Sequence, residues 1–329
     1  MLTILVIVLC SVIIYIIYII YNINIFTNSV NIFTNNSKIV VMNRTKPLIG
    51  ILPTPYIKDP VTHKLFISNE VFITADVITF LKQNSIDYII IPYTITKNDL
   101  DKILSNLDGF LFPPSHTGSY YNNKFIKQHF LKQKYIVKKV KVLANNNNII
   151  IPILAICHGF ENMILIENNF NLANKNIKKT FINVNPITKT IPKFRNTKLG
   201  ELFKSKFNKT KKLYHSHKLA ADSKYEIKNY EVIATSLDKN KKEFITIVKH
   251  KKYPFFGFQG HPEVENTKLF APFISCVNTS FNKKSKPTLI NKEIYNKLNL
   301  VKLNSRKTSC KKYKLASRRH NRCKIFYKV

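Results

Sequence analysis

Negative charge is scarce in this sequence: 18 Asp and Glu stand against 53 Lys and Arg in 329 residues, a formal net charge of +35. The deficit is not confined to one end, because residues 283–329 hold 16 basic and one acidic residue while residues 44–282 hold 36 and 17. Asn, Lys and Ile are abundant throughout, as an AT-rich genome imposes, so charge alone names no partner. Cysteine is scarce too. Cys10, Cys157, Cys276, Cys310 and Cys323 are too scattered for a disulfide framework, although a Cys310–Cys323 bridge stays open. Cys310, Cys323 and His320 lack a fourth ligand at finger spacing, so no metal is expected. The basic tail offers no aromatic platform for stacking bases. Such a run is normally solvated and disordered, and its chemistry suits the phosphates of anionic lipid or nucleic acid.

What is present begins with an apolar run. Residues 2–21 hold no charge and are mostly Ile, Leu, Val and Tyr, and at ~1.5 Å per residue a helix of that length crosses a ~30 Å hydrocarbon core. The run exceeds a signal-peptide core of ~7–15 residues and lacks both a basic start and a small-x-small cleavage site. It is expected to be an N-terminal transmembrane helix, an uncleaved signal-anchor, with a cleaved signal peptide as the alternative. The nearest basic residues, Lys38, Arg44 and Lys46, all follow it, which favours a cytosolic domain. A polar linker over 22–45 leads to a domain over 46–281, followed by the tail over 282–329.

Within the domain the pattern alternates: strand at 47–52, helix near 69–83, strand at 87–92, helix at 97–106, strand at 108–112, basic helix at 122–144. Residues 168–212 read as polar and irregular. Strand-like runs follow at 211–216, 230–237, 243–249 and 254–259, and a closing helix at 267–281. This predicts an α/β fold with a mainly parallel central sheet flanked by helices and active residues at the carboxyl ends of strands.

The stretch from Ile149 to Ile166 contains a β-branched apolar run that stops at Cys157 and resumes with helical spacing. Ala155 and Gly159, two residues to either side, are small, as a strained strand-to-helix nucleophile elbow requires. The first turn of the following helix aims N–H groups and the positive end of its dipole at the thiol, favouring thiolate. About a hundred residues later Phe255–Phe258 runs into Gln259, Gly260, His261, Pro262 and Glu263. In extended chain His261 and Glu263 point to the same side, so the carboxylate can hold one ring nitrogen while the other works. Cys157 is the candidate nucleophile, His261 the base and Glu263 its orienter.

These two motifs resemble the class I glutamine amidotransferase-like superfamily and, within it, the folate γ-glutamyl hydrolases. Pro47–Leu52 resembles that family's opening strand, Phe72–Val77 the start of its first helix, Leu107–Pro113 the strand before its oxyanion loop, and Ser216–Lys218 its inner histidine motif. The resemblance covers residues 46–281 in order. It implies a flavodoxin-like, class I glutamine amidotransferase-like fold, hydrolysis of a small-molecule γ-glutamyl substrate such as folate poly-γ-glutamate, no cofactor, and a lumenal or extracellular location. It also implies that the backbone N–H of His158 is one oxyanion donor, and that His217, with Gln259, lies near the substrate.

Three positions depart from the family. Its Pro-Gly-Gly turn, the source of a second oxyanion donor, is here Pro113-Pro114-Ser115. The donor survives if it is Ser115 and is lost if it is Pro114, which has no N–H. His158 stands where a leucine is usual, and Gly260 replaces a tryptophan, which is expected to open the pocket. Three function classes follow: a cysteine hydrolase of the γ-glutamyl hydrolase type, a glutaminase subunit of an amidotransferase, or a catalytically impaired scaffold or virion-associated basic membrane protein.

Overall fold

The computed structural model describes residues 39–42, 44–55, 70–115, 123–170, 180–185, 189–208, 210, 212–284, 288–291, 306–307 and 324–328. Eight strands form the central sheet, in the order Lys193–Phe194, Tyr230–Leu237, Glu243–His250, Phe255–Phe258, Ile153–Ile156, Gly109–Phe112, Leu48–Ile51 and Asp87–Ile90. The last five of these pair in parallel. The first three add an antiparallel flank. The parallel half is the expected one, and all of its strands but the edge strand Asp87–Ile90 are buried along their length, for example Ile153, Leu154, Ala155 and Ile156 at 0% exposure. Strands covered on both faces must be apolar without alternation. That is why this half is legible as continuous runs.

Helix ends follow local chemistry. Thr96 caps Lys97–Leu104 by accepting from Asp99 N at 3.0 Å, and Asn123 caps Lys124–Asn147 by accepting from Phe125 N at 2.9 Å. Each such cap is worth about 1 kcal/mol. Asn148 closes the long helix in the left-handed region at φ 53°, so the helix runs three residues beyond the expected end at 144.

Several expectations need correction. The helix foreseen near 69–83 is a strand, Glu70–Thr74, followed by a helix, Ala75–Gln83. Val71, Phe72, Ile73 and Thr74 are all good strand formers, and the strand pairs on both sides, with Thr54–Pro55 and with Lys324–Lys328. The polar stretch 168–212 contains the helix Lys198–Lys206, capped by Thr197. Described parts of the segments expected as linker and disordered tail are also strands: Ile39–Met42 pairs with Thr288–Asn291, and Arg306–Lys307 with Lys324–Lys328. Residues 2–21 and the Cys310–Cys323 pair lie outside the described residues; among those described, no helix is long and apolar enough to cross a membrane.

Buried Asp108 ties the start of the domain to its end. It accepts from Leu48 N at 2.8 Å, pairs with Arg44, and lies 3.4 Å from Lys284. Burial lowers the Lys284 ammonium pKa while Asp108 opposes the shift.

Candidate active site

Cys157 sits between the strand Ile153–Ile156 and the helix His158–Glu167 with φ 52° and ψ −111°. A non-glycine residue in such a conformation costs on the order of 1–3 kcal/mol and persists only where its surroundings fix it. They do so here. Cys157 N donates to Phe258 O at 2.7 Å, and Glu161 N donates to Cys157 O at 2.9 Å. Close approach explains the glycines: a Cβ on Gly159 would lie 2.4 Å from Phe112 O, and one on Gly257 would lie 2.4 Å from the Phe160 ring. Larger residues would lift the elbow helix off the sheet.

Phe258 pairs with Ile156 on the neighbouring parallel strand. The chain leaving Phe258 therefore delivers Gln259 and His261 to the same end of the sheet as Cys157. His261 N is fixed by Tyr214 O at 2.8 Å, and its ring Nδ1 meets Glu263 Oε1 at 2.8 Å. An ionised carboxylate only accepts, so Nδ1 carries the proton and Nε2 is left as the basic nitrogen. All three side chains are buried, at 3% exposure for Cys157 and His261 and 5% for Glu263.

Ser115 is buried just past the strand Gly109–Phe112, whose Phe112 pairs with Ala155 beside the elbow. His158 opens the elbow helix, so its N–H belongs to the first turn, where no intrahelical acceptor exists. Ser115 thus follows the strand next to that of the elbow, and His158 follows Cys157 directly. The His158 side chain turns inward. It is buried, with Nε2 3.3 Å from Asn162 Nδ2 and Nδ1 3.5 Å from Glu161 Oε2, and it stacks on His129 with centroids 6.5 Å apart. Burial and the neighbouring His158 lower His129 to about 3.

Gln259 is buried and donates through Nε2 to Glu161 Oε1 at 2.9 Å. Glu161, one helical turn after Cys157, is a buried carboxylate facing this end of the sheet, a role that the sequence pattern alone does not assign to it. Its spacing of four from the nucleophile is the available signal.

His217, expected near the substrate, is buried, and both of its ring nitrogens are in hydrogen-bond contact within the protein. Its Nδ1 meets Leu219 O at 2.9 Å and its Nε2 meets His215 Nδ1 at 3.0 Å. A carbonyl only accepts, so neutral His217 donates from Nδ1 and accepts at Nε2; His215 then donates from Nδ1 and accepts at Nε2 from Thr190 Oγ1, 2.8 Å away. Thr190 lies 3.2 Å from Ser236 Oγ, which accepts from Thr246 at 2.8 Å. Burial lowers both histidines, helped at His215 by His217 and His261, and opposed at His217 by the charge of Glu161 and the bond to Leu219. The bonds to Leu219 and His215 require a neutral His217, and burial is what disfavours a charge on His215.

Gly260 does not open the pocket. The volume its side chain would fill is taken by Leu213, 2.7 Å from an ideal Cβ, and by the His215 ring at 3.1 Å. Leu213 and His215, from a neighbouring segment, occupy the space beside Gly260. Thr190 and His129 were not foreseen, because tertiary packing brings them in from stretches with no motif, and His215 adjoins the Ser216–Lys218 motif without being part of it. Among the described residues no group of three or more potential ligands could hold a metal ion.

Residues 65–272 match the family described as glutamine amidotransferase class-I. The chain is 25% identical over 234 residues to gamma-glutamyl hydrolase 1 of Arabidopsis thaliana, covering 66% of this chain and 63% of that protein. It is 21% identical over 234 residues to gamma-glutamyl hydrolase B of Dictyostelium discoideum, covering 69% and 65%. The chain therefore spans less than two thirds of the length of these relatives. A solved structure of a protein assigned to GMP synthase in Thermoplasma acidophilum superposes with a TM-score of 0.47 at 15% identity, over 74% of this chain and 100% of that one. With a family match spanning most of the domain that holds the elbow and the histidine motif, the chain belongs to the class I glutamine amidotransferase family.

Proposed function

We propose that this chain is a cysteine hydrolase of the γ-glutamyl hydrolase type, cleaving γ-glutamyl amide bonds with Cys157 as nucleophile. The supporting observation is the juxtaposition of a strained Cys157 elbow with a neighbouring strand end that carries a carboxylate-oriented His261. The gamma-glutamyl hydrolases among its relatives supply the substrate class. Cys157 gives its proton to His261 Nε2, and the thiolate adds to the γ-carbonyl, forming a C–S bond. The C–N bond then breaks as His261 passes its proton to the departing amine. Water, losing a proton to His261, opens the thioester and releases the γ-carboxylate product. Glu263 keeps Nδ1 protonated throughout. The backbone N–H groups of His158 and Ser115 stabilise the oxyanion, each worth roughly 3 kcal/mol. The carboxylate of Glu161, held by Gln259, suits the α-amino group of the glutamyl residue.

The test incubates the full chain with a γ-glutamyl peptide or folate polyglutamate beside the Cys157→Ala variant. Glutamate or shorter chains released by the parent alone, with Cys157 alkylated by iodoacetamide faster than a free thiol, support the reading. Absence of turnover together with an unreactive Cys157 overturns it in favour of a scaffold.

A further inference from the structure

The parallel strands begin at the edge of the sheet opposite Cys157. Backbone bonds stitch those starts into one pole: Asp87 N to Pro47 O at 2.8 Å, Phe110 N to Pro152 O at 2.8 Å, and Ile153 N to Pro254 O at 3.1 Å. The turn after His250 arrives there through Lys251 N and Asn229 O at 2.8 Å, and the end of the closing helix through Lys284 and Leu107 O. Here Lys46, Lys228, Lys251, Lys252 and Lys283 are exposed, and none has an ion pair among the described residues. Two buried carboxylates at this end are matched: Asp108 pairs with Arg44 and Lys284, and Glu167 with Lys141. The exposed carboxylates nearest in the chain are Asp87 and Glu226. Ile150 adds an apolar side chain that is 42% exposed.

The route of the chain selects the partner. Arg44 is anchored on Asp108 at this pole, the strand Ile39–Met42 precedes it, and residues 22–38 separate that strand from the uncharged run 2–21. That separation reaches at most ~60 Å, so a membrane holding residues 2–21 keeps the pole at high effective concentration near its headgroups. We propose that this basic pole docks on the anionic headgroups of the bilayer that holds residues 2–21, leaving the Cys157 end facing away from the membrane. The proposal rests on the reading of 2–21 as a membrane segment and is independent of the hydrolase reading. Nucleic acid would use the lysines but has no use for Ile150 or for an apolar run joined to the same pole.

The test places the full chain in phosphatidylcholine nanodiscs with and without phosphatidylserine and follows lysine acylation by mass spectrometry. With phosphatidylserine, the five pole lysines should lose labelling severalfold, while Lys239 and Lys241, in the turn at the other end of the sheet, should not change. High salt should restore labelling, since surface charge contacts are screened. The triple variant Lys228→Gln, Lys251→Gln, Lys252→Gln should expose Lys46 and Lys283 again, each lost contact weakening docking roughly fivefold. Equal labelling in both discs, protection at Lys239 and Lys241 instead, failure of the chain to enter discs, or protection of the pole by an RNA oligonucleotide without discs would each overturn the proposal.

Discussion

Two pairs at the same spacing, His261 with Glu263 and His215 with His217, lie side by side and do opposite things. His261 N bonds Tyr214 O at 2.8 Å, so the segments touch, and in each an i, i+2 contact near 3 Å joins two side chains. In the first the partner is a carboxylate, which fixes one tautomer and leaves a basic nitrogen. In the second the partner is another imidazole, and both nitrogens of both rings are consumed in a neutral ladder ending on Leu219 O and Thr190. Spacing decides that the side chains meet. The charge of the partner decides whether the result is a base or a strut.

The largest effect that sharpens this contrast is His261→Ala, expected to lower kcat about 10³- to 10⁴-fold without loss of folding; steady-state kinetics with circular dichroism checks it. Glu263→Gln should follow at about 10²- to 10⁴-fold, because the amide no longer imposes the Nδ1–H tautomer. Gly260→Trp is expected to destabilise by about 1–3 kcal/mol, since the ring must displace Leu213 and His215. A denaturant titration in which this variant gained stability would show that the site has room for an indole ring. His215→Phe should cost about 1–3 kcal/mol by orphaning the His217 and Thr190 partners, and should alter KM more than kcat if the ladder only positions its surroundings. A large kcat loss there would break the contrast.

The smallest effect concerns pH. Buried neutral histidines have folded pKa values below their unfolded value of 6.5, to about 3 at His129, with burial as the main cause. The unfolded state therefore binds protons first as pH falls. Stability is complete above 6.5 and is lost toward the folded values, by up to about 1.4 kcal/mol per pH unit for each such histidine. Melting temperature should fall between about pH 6.5 and 4.5, and His158→Leu should soften the slope by removing the ring that helps lower His129. A flat profile would mean that His129 is already charged in the folded protein.

The parallel half of the sheet, the Cys157 elbow and the His261–Glu263 pair were legible before any fold was known. These rest on local patterns: uninterrupted β-branched runs, small residues flanking a strained turn, and a fixed i, i+2 geometry in extended chain. Only the tertiary structure decided that Glu70–Thr74 is a strand, because its pairing partners include Lys324–Lys328 from the far end of the chain. Packing alone decided that Leu213 and His215 fill the space left by Gly260, that Gln259 holds Glu161, and that His217 spends both nitrogens internally. Contacts between side chains from distant segments have no period or spacing to betray them. They exist only once backbone hydrogen bonding and burial have brought the segments together.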